Sequence, residues 1–481
     1  MKVLLTRPAY SPVYGLITSK TRYKEVSPPI GLLYVAACLE RDGHQVEVID
    51  GEVDDLTPEE LFENIKASRP DIVGAGATTV DFDDSNLILR MVKERLDITT
   101  LLGGPHATVL PDQVLRENPH IDYVIRGEGE ISTSEFLKIL EQKDDLSQVE
   151  GLSYREDGNI IHNADRPFMP ELNGNIVPAR HLVDQSKYLL PLPGKGMRPM
   201  TAIQAMRGCP FGCIYCYRMF GHKVRFRDPA QVIDEIEDCV NNYGVEYVTF
   251  VDDTFMINAK RVIEFCEEIT KRILRFSWRC YTRADTIQED LLKMVKEAGC
   301  RQISIGVESG NQDILDKSGK GTTLEQYARA YELLGKIGFE KRGSFILGLP
   351  YENANTLRDT VDFAKKLKLD RAFFNICTPY PATKLFQMAE KGEGLHLITN
   401  SWKEFKRWGN AVIELDGLSR DDLMEWQKIA MMEFYARPRI VLHHLRTFIG
   451  GDHKKFYYRP LLFGLKEYYN RKIKNIFKKS G

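Results

Sequence analysis

The chain has 481 residues, which is too long for one ordinary domain, so we expect two or three domains. Its hydrophobic fraction of 43% and charged fraction of 28% are typical of a soluble globular protein, and a net charge of −2 gives no indication of nucleic acid binding. No apolar run approaches the roughly 18–20 residues of a membrane span. The short apolar run at residues 3–5 predicts a buried strand rather than a signal peptide, so we expect a cytoplasmic protein.

Residues 1–140 alternate short apolar runs with amphipathic segments. The pattern predicts strands at residues 3–5, 46–49, 71–77, 100–102 and 123–125. It predicts helices at residues 29–42, 57–68, 85–96, 111–117 and 131–140. Strict alternation with short connections predicts an α/β fold with a doubly wound, Rossmann-like parallel sheet. Ligands of such sheets bind at the carboxyl ends of the strands.

Residues 141–195 have a different composition, rich in Pro, Gly, Asn and Asp. Asp157 and Gly158 separate two short apolar runs, which predicts a β-hairpin. We interpret this region as a linker with a hairpin that crosses between two domains.

Residues 196–390 return to alternation of strands and helices. Strands are predicted at residues 201–205, 247–251, 276–281, 302–307, 342–347 and 371–377. Six such units predict a partial (β/α)6 barrel of the TIM type, whose chemistry belongs at the strand carboxyl ends. Residues 391–481 are predicted to be mainly helical, with a helix start at Ser419 and Asp422.

Nine cysteines divide into a scattered set and a cluster. Six lie singly in apolar patterns and are interpreted as buried core residues: Cys38, Cys239, Cys266, Cys280, Cys300 and Cys377. Cys209, Cys213 and Cys216 form a C-x3-C-x2-C pattern on the loop after the first barrel strand. Three thiolates can ligate three irons of a [4Fe–4S] cubane and leave the fourth iron open to S-adenosylmethionine (SAM). The cluster can then deliver one electron to the sulfonium and generate a 5′-deoxyadenosyl radical.

Two alternatives compete with a cluster. A structural zinc site needs four ligands, and the nearest additional candidate is His222, six residues after Cys216. Three buried core cysteines are the other alternative, although a loop that contains Pro210 and Gly212 is an unusual place for them.

The triad, with Tyr215 directly before its last cysteine, resembles the radical SAM superfamily. The resemblance implies that Tyr215 is near the cofactors, and that Asp252 and Asp253, after the second barrel strand, contact the SAM amino group. Glu308, at the end of the fourth strand, would lie near the ribose or the methionyl part. Gly348, after the fifth strand, would lie on the adenine side.

Three loops of the first region contain glycines at predicted strand ends, where the backbone can approach a large flat ligand. Together with the downstream triad they resemble the cobalamin (B12)-binding domain fused to many radical SAM enzymes. The resemblance implies contacts to cobalamin from Thr78, Thr79, Gly103, Gly104, Pro105, His106, Gly127, Glu128 and Gly129. The loop at residues 7–15 lacks the histidine that ligates cobalt in many free-standing B12 domains, so the lower axial position is unassigned. His106 is expected to contact the nucleotide tail or to shape the turn.

The resemblance implies a cobalamin-dependent C-methyltransferase that acts on an unactivated carbon of a small-molecule or lipid substrate. An oxidative cyclase or rearrangement enzyme without methyl transfer is the alternative within the family. A non-catalytic redox or metal-sensing module is the alternative from another class. An electron donor such as flavodoxin or ferredoxin is expected as a partner, and nucleic acid is not.

Three residues at barrel strand ends are candidates for substrate chemistry. Tyr281 and Arg283 end the third strand, with packing and a salt bridge as the structural alternative. Cys377 ends the sixth strand, with a buried thiol as its alternative.

The segment 454–479 carries nine Lys and Arg residues, one Glu and interleaved aromatic residues. It predicts either peripheral contact with the inner membrane face or a terminal helix packed on the barrel.

Overall fold

The computed structural model describes residues 1–9, 26–172, 177–192 and 196–442. Two seven-stranded sheets account for most of the strands in these residues. Among the described residues, no helix is both long enough and apolar enough to span a bilayer.

The first sheet is built from alternating strands and helices, as predicted. Its strands are β1 Lys2–Arg7, β2 Gln45–Asp50, β3 Ile72–Gly76, β4 Thr99–Gly103, β5 Tyr123–Ile125, β6 Leu152–Glu156 and β7 Asn159–His162. Its helices are α1 Ile30–Arg41, α2 Gly51–Asp54, α3 Pro58–Ser68, α4 Phe82–Leu96, α5 Pro105–Val109, α6 Pro111–Glu117 and α7 Gly129–Gln142. The strand order is β2-β1-β3-β4-β5-β6-β7, and β1 to β5 run parallel. The predicted doubly wound sheet is confirmed. The short helices α2 and α5 were not predicted.

The hairpin predicted within the linker belongs to the first sheet. β6 pairs antiparallel with β5, with Leu152 opposite Ile125, and β7 pairs antiparallel with β6. The hairpin therefore covers the N–H and C=O groups that the edge of β5 would otherwise leave unpaired. Arg126 reinforces this edge because its Nη1 donates to Ser153 Oγ over 2.9 Å.

The second sheet is the predicted partial barrel. Its strands are β8 Leu189–Leu192, β9 Gly196–Ile203, β12 Tyr247–Phe250, β13 Ser277–Thr282, β14 Cys300–Glu308, β15 Glu340–Leu347 and β16 Arg371–Ile376, and a separate ribbon is formed by β10 Met206–Arg207 and β11 Arg225–Phe226. Its helices are α8 Pro229–Tyr243, α9 Ala259–Lys271, α10 Glu289–Glu297, α11 Gln312–Lys317, α12 Leu324–Ile337, α13 Ala354–Lys366 and α14 Lys384–Lys391. The order is β16-β15-β14-β13-β12-β9-β8. Six strands run parallel, and the sequence did not predict β8, which adds an antiparallel edge.

The described part of the C-terminal region is helical around α15 Arg420–Tyr435. Its start is the predicted one, because Ser419 and Asp422 form a capping box. Two short strands, β17 His396–Leu397 and β18 Ile413–Glu414, were not predicted. Helix α15 packs on the last barrel strand, where Gln427 Nε2 donates to Phe374 O over 2.7 Å. The basic segment 454–479 lies outside the described residues.

Candidate functional site

The cysteine loop lies at the carboxyl end of β9, as predicted. Cys209 and Cys213 are half-buried and Cys216 is exposed, whereas the six scattered cysteines are all buried. The pKa of the Cys216 thiol is raised to about 11, first by the loss of water around the sulfur and then by the neighbouring Cys213, Asp253 and Cys209. The three thiols are therefore close enough to influence one another. A bound metal centre would supply the positive charge that stabilises them as thiolates.

The cysteine loop is held by a segment that follows α11. Ile214 N donates to Ser318 O over 3.0 Å. A Cβ on Gly319, whose φ is +69°, would lie 2.8 Å from Gly212 O, so a glycine is required for this close approach. The next residue, Lys320, forms a buried ion pair with Glu308, with 2.9 Å between Nζ and Oε1. Lys320 was not predicted as a site residue, although its position between Gly319 and Gly321 is typical of a tightly packed loop.

Glu308 occupies a special backbone position. Its φ is +69°, and the register between β14 and β15 shifts between Gly306 and Glu308. A Cβ on Gly306 would collide with the Glu308 carboxylate, so Gly306 makes room for the ion pair. Burial lowers the pKa of Lys320, but the Glu308 carboxylate more than offsets this, and the net shift is upward. The ammonium is therefore charged at neutral pH.

Asp252 lies under the cysteine loop with one unused oxygen. Its Oδ1 accepts hydrogen bonds from the backbone N–H groups of Ala205, over 2.8 Å, and Met206. Its Oδ2 is buried without a hydrogen-bond partner among the described residues. Burial raises the pKa of this carboxyl to about 7. Asp253 is exposed and its charge contributes to the raised pKa of the Cys209 thiol.

The remaining predicted residues of the SAM side also lie at this end of the barrel. Burial, followed by Glu308 and Cys213, raises the pKa of Tyr215 well above its usual value, which places the phenol beside both groups. Gly348 has a φ of +93°, and its N–H donates to Glu352 Oε2 over 2.7 Å. The structure therefore brings Tyr215, Glu308, Asp252 and Gly348 to the same barrel end as the triad.

The predicted substrate-side residues have different environments. Tyr281 is 45% exposed. Arg283 is buried, where its Nη2 donates to Lys320 O over 2.8 Å and its guanidinium carbon lies 3.6 Å from the centroid of the Phe211 ring. It also forms an ion pair with Asp285. Cys377 is 1% exposed, and burial raises the pKa of its thiol.

The three glycine-containing loops of the first sheet meet along one rim. Ala77 N donates to Gly103 O over 3.0 Å, and Gly127 N donates to Thr108 Oγ1 over 3.1 Å. Gly104 has a φ of +95°, and a Cβ there would lie 2.7 Å from Ala77 O. Around Gly127, by contrast, no atom of the described residues other than its two chain neighbours lies within 4 Å of an added Cβ. The rim therefore presents open backbone, which fits a large flat ligand.

His106 and its neighbours lie beneath this rim. Pro105 and His106 open α5, and Gly129 is the first residue of α7. The His106 ring is 1% exposed and packs against Phe82 and Trp402, at centroid distances of 4.2 and 5.4 Å. Its Nδ1 lies 3.2 Å from Thr79 Oγ1, and burial lowers its pKa to about 4. The side chain is thus engaged by protein groups.

Thr78 is the exposed member of the rim, and its Oγ1 donates to Asp81 Oδ1 over 2.8 Å.

Four buried charges connect the rim to the barrel. Arg207 Nη1 lies 3.0 Å from Glu128 Oε1, and Arg207 Nη2 lies 2.5 Å from Glu130 Oε1. Arg225 Nη1 lies 2.9 Å from Glu128 Oε1. We call Arg207, Arg225, Glu128 and Glu130 the arginine clasp. Sequence reasoning assigned Glu128 to the cofactor, but its carboxylate is occupied by the clasp, so only its main chain is available to a ligand.

Comparisons with known proteins agree with this arrangement. Residues 203–364 match the radical SAM superfamily model, and residues 20–137 match the B12 binding domain model. An uncharacterized methyltransferase, PH0819, of Pyrococcus horikoshii is 33% identical over 98% of this chain and 99% of its own length. Anaerobic magnesium-protoporphyrin IX monomethyl ester cyclase of Rubrivivax gelatinosus is 34% identical over 89% of this chain and 80% of its own.

A solved structure shares the fold. The radical SAM methyltransferase TsrM of Kitasatospora setae, with cobalamin and a [4Fe–4S] cluster bound, aligns with a TM-score of 0.72 at 18% identity, over 98% of this chain and 99% of the other. This similarity extends through both sheets and the C-terminal region.

Proposed function

The chain belongs to the radical SAM enzymes that carry a B12-binding domain, and from this premise we propose that it methylates an unactivated carbon of a small-molecule or lipid substrate. The observation that carries the proposal is the arginine clasp, which holds the open rim of the first sheet against the strand that leads into the cysteine triad. The clasp would then hold a methyl carrier on the rim and a radical source on the triad at a fixed separation. Such fixed placement favours group transfer.

The chain's own residues fit the three cofactors of the family. Cys209, Cys213 and Cys216 would hold the cluster, and the loops at Thr78, Gly103 and Gly127 would hold cobalamin. When bound, the cluster supplies the electron that cleaves SAM, and cobalamin supplies the methyl group. The loop at residues 7–15, which lacks the cobalt-ligating histidine of many free-standing B12 domains, lies outside the described residues from residue 10 onward.

SAM itself has a carboxylate and an ammonium group that need partners. We propose the Lys320 ammonium as a partner for the carboxylate, to be shared with Glu308, which holds it in place over 2.9 Å. The unused Oδ2 of Asp252 and the exposed carboxylate of Asp253 are the anions available to the ammonium. Gly348 is proposed to lie on the adenine side through its main chain, because a Cβ there would point at Leu423 of α15, 3.1 Å from its Cδ2, and not into open space.

We assign different roles to the three substrate-side candidates. Tyr281 is exposed and is proposed to contact substrate. Arg283 is occupied by Asp285, Phe211 and Lys320, so we propose a positioning role, through the cysteine loop and Lys320, rather than contact with substrate. Cys377 would need to become accessible before its thiol could react, so a redox role for it requires movement of the surrounding chain.

An oxidative cyclisation without methyl transfer is a second candidate. It is favoured by the 34% identity to the Rubrivivax gelatinosus cyclase over 89% of this chain. The sensor alternative is not retained, because the chain belongs to a family of enzymes and keeps the Glu308–Lys320 pair beside the triad.

Anaerobic reconstitution with iron, sulfide and hydroxocobalamin tests both candidates. The reconstituted protein is incubated with SAM, a reductant and candidate substrates that include tetrapyrroles and lipids, and products are analysed by mass spectrometry. A gain of one CH2, with S-adenosylhomocysteine and 5′-deoxyadenosine, supports methyl transfer. Loss of hydrogens without S-adenosylhomocysteine supports cyclisation. Absence of bound corrinoid removes methyl transfer, and a Cys213→Ala variant provides the background without a complete triad.

The reaction also needs an electron donor and access to substrate. Cys216 is exposed, which supports delivery of electrons by a small carrier such as flavodoxin or ferredoxin.

We further propose that the basic segment 454–479 contacts anionic lipid at the inner membrane face, on the strength of its composition alone. Co-sedimentation with anionic liposomes that is unchanged after deletion of residues 454–481 would contradict this.

A further inference from the structure

The arginine clasp joins the two proposed cofactor sites through buried charges. We propose that Arg207 and Glu130 are positioning residues that couple occupancy of the corrinoid site to the conformation of the cysteine loop. This inference rests on the proposed function, since it requires both a corrinoid and a cluster. It goes further by assigning to the clasp a task other than attachment of one domain to the other.

The opposite charges of the arginine clasp pair with one another only while the first domain and the barrel keep their present relative position. The side chains of Arg207, Arg225, Glu128 and Glu130 are each at most 6% exposed. Two guanidinium groups and two carboxylates are therefore desolvated together, and removal of one partner leaves another buried without compensation. Arg207 uses all three nitrogens, because its Nε also donates to Gln204 Oε1 over 2.9 Å. A shift of the rim relative to β10 would break several of these contacts at once.

The covalent path from the clasp to the first cysteine is short. Arg207 is followed by Gly208 and then by Cys209. Gly208 has a φ of +95°, and a Cβ there would collide with Lys223 O, so the connection is closely packed. Cys209 N donates to Gly221 O over 3.1 Å. The position of the Arg207 backbone therefore constrains where Cys209 can lie.

The path to the rim is equally short. Glu128 directly follows Gly127, and Glu130 comes two residues later, after Gly129. Gly127 is the rim residue whose N–H donates to Thr108 Oγ1 and above which space is open. A ligand that orders Gly127 would therefore order both carboxylates of the clasp.

The linker forms a third side of the clasp. Met169 N donates to Glu128 Oε2 over 2.7 Å, and Met169 O accepts from Arg225 Nη1 over 2.8 Å. The Arg225 guanidinium lies 5.0 Å from the centroid of the Phe168 ring. The same ring packs on Gly221, the residue that accepts from Cys209 N. Linker, rim and cysteine loop thus share one set of contacts.

A clasp that only attaches the first domain to the barrel and a clasp that couples the two cofactor sites predict different experimental results. If the clasp only attaches the two parts, its loss lowers stability but leaves each site indifferent to the other. If it couples them, corrinoid binding should protect the cluster, and the protection should disappear when the clasp is weakened. Couplings between sites in proteins typically amount to about 5- to 150-fold.

The test uses the reconstituted full chain with and without hydroxocobalamin. The rate of iron loss to bathophenanthroline disulfonate is measured anaerobically, and the reduced cluster is recorded by electron paramagnetic resonance. We expect hydroxocobalamin to slow iron loss by about tenfold in the unaltered chain. In Glu130→Gln, which removes one charge and keeps the side-chain size, we expect the ratio of the two rates to fall to about one while both cofactors still bind.

A matched control is Asp54→Asn. It removes the exposed ion pair between Asp54 and Lys187, which also joins the first domain to the linker, over 2.7 Å. This variant should keep the full protection by hydroxocobalamin and the unaltered resonance signal.

Each outcome decides the matter. The coupling is overturned if hydroxocobalamin protects the cluster fully in Glu130→Gln. It is also overturned if the iron-loss rates of the unaltered chain without and with hydroxocobalamin have a ratio of about one while both cofactors are bound. Either result leaves the proposed function standing. Failure of the unaltered chain to bind corrinoid overturns both. If Glu130→Gln does not fold, Arg207→Lys replaces it, because lysine keeps the charge but cannot reach three partners. Retained protection in Arg207→Lys would equally overturn the coupling.

Discussion

The Glu308 carboxylate and the Lys320 ammonium form an ion pair of 2.9 Å in which both side chains are at most 10% exposed. Glu308 ends the fourth parallel strand of the barrel, and Lys320 follows the segment that is hydrogen-bonded to the cysteine loop. The pair therefore connects the strand end to the loop that carries the triad.

Removal of Lys320 should destabilise the protein strongly. In Lys320→Met the Glu308 carboxylate remains buried without a cation, which typically costs about 3–5 kcal/mol. The free energy of unfolding in urea, measured on the cofactor-free protein, should fall by about that amount. The double variant Glu308→Gln/Lys320→Met should recover a large part of the loss. Lys293→Met, which removes an exposed partner of Glu289, serves as the control. An equal loss of unfolding free energy in Lys320→Met and Lys293→Met would contradict the prediction.

Gly104→Ala and Gly127→Ala should separate stability from corrinoid binding. Both glycines have positive φ, which costs an alanine about 1–2 kcal/mol. At Gly104 the new Cβ would also lie 2.7 Å from Ala77 O, so unfolding in urea should show a further loss of about 1–3 kcal/mol. At Gly127 the Cβ would project into open space, so the dissociation constant for hydroxocobalamin should rise with a smaller loss of stability. Equal unfolding free energies for the two variants would exclude this account.

His106 should make stability dependent on pH below neutrality. Its pKa is lowered to about 4 by burial, whereas the unfolded chain has the ordinary value of 6.5. Between these values the unfolded chain binds a proton that the folded chain does not, so stability is lost as the pH falls from 6.5 toward 4. In His106→Gln the loss of thermal stability between pH 7 and pH 5 should be smaller than in the unaltered chain by about 1 kcal/mol or more. The same pH profile in both proteins would count against a neutral, buried His106.

Asp252 should make the stability of the protein depend on pH in the opposite direction. Its pKa is raised to about 7 by burial, against an ordinary value of 3.8, so the folded chain holds a proton that the unfolded chain has released. Stability of the cofactor-free protein should therefore decline as the pH rises from about 4 to 7. Asp252→Asn keeps an acceptor for the N–H groups of Ala205 and Met206 and removes this decline. Urea unfolding at pH 5 and pH 8 measures the difference, and an unchanged decline in Asp252→Asn would refute the assignment.

The same variant also tests SAM binding. An ammonium group beside Asp252 favours its charged form, so affinity for SAM should rise as the pH passes 7. Asp252→Asn should bind SAM more weakly at pH 8 and without this pH dependence. Equilibrium dialysis of the reconstituted protein gives both values, and unaltered affinity would remove Asp252 from the site.

Sequence periodicity predicted the two sheets because each strand and helix buries its own apolar face, and that requirement is local. It missed the pairing of the 152–162 hairpin with β5, since hydrogen bonding across a sheet edge depends on which edge is free. The family resemblance placed Glu128 at a cofactor loop, but it could not show that Arg207, 79 residues away, binds the Glu128 carboxylate, because a strand-end glutamate in a glycine loop looks the same in either case.

The sequence by itself determined the chemistry of this protein. The spacing of Cys209, Cys213 and Cys216 specifies soft ligands on one loop, and spacing along the chain is a property of the sequence alone. Only the tertiary structure decided how the two cofactor regions meet. The contact of Glu130 with Arg207 joins residues 77 positions apart, and the contact of Glu308 with Lys320 joins residues 12 positions apart on either side of α11. Their charges become informative only when folding removes them from water and places each beside an opposite charge.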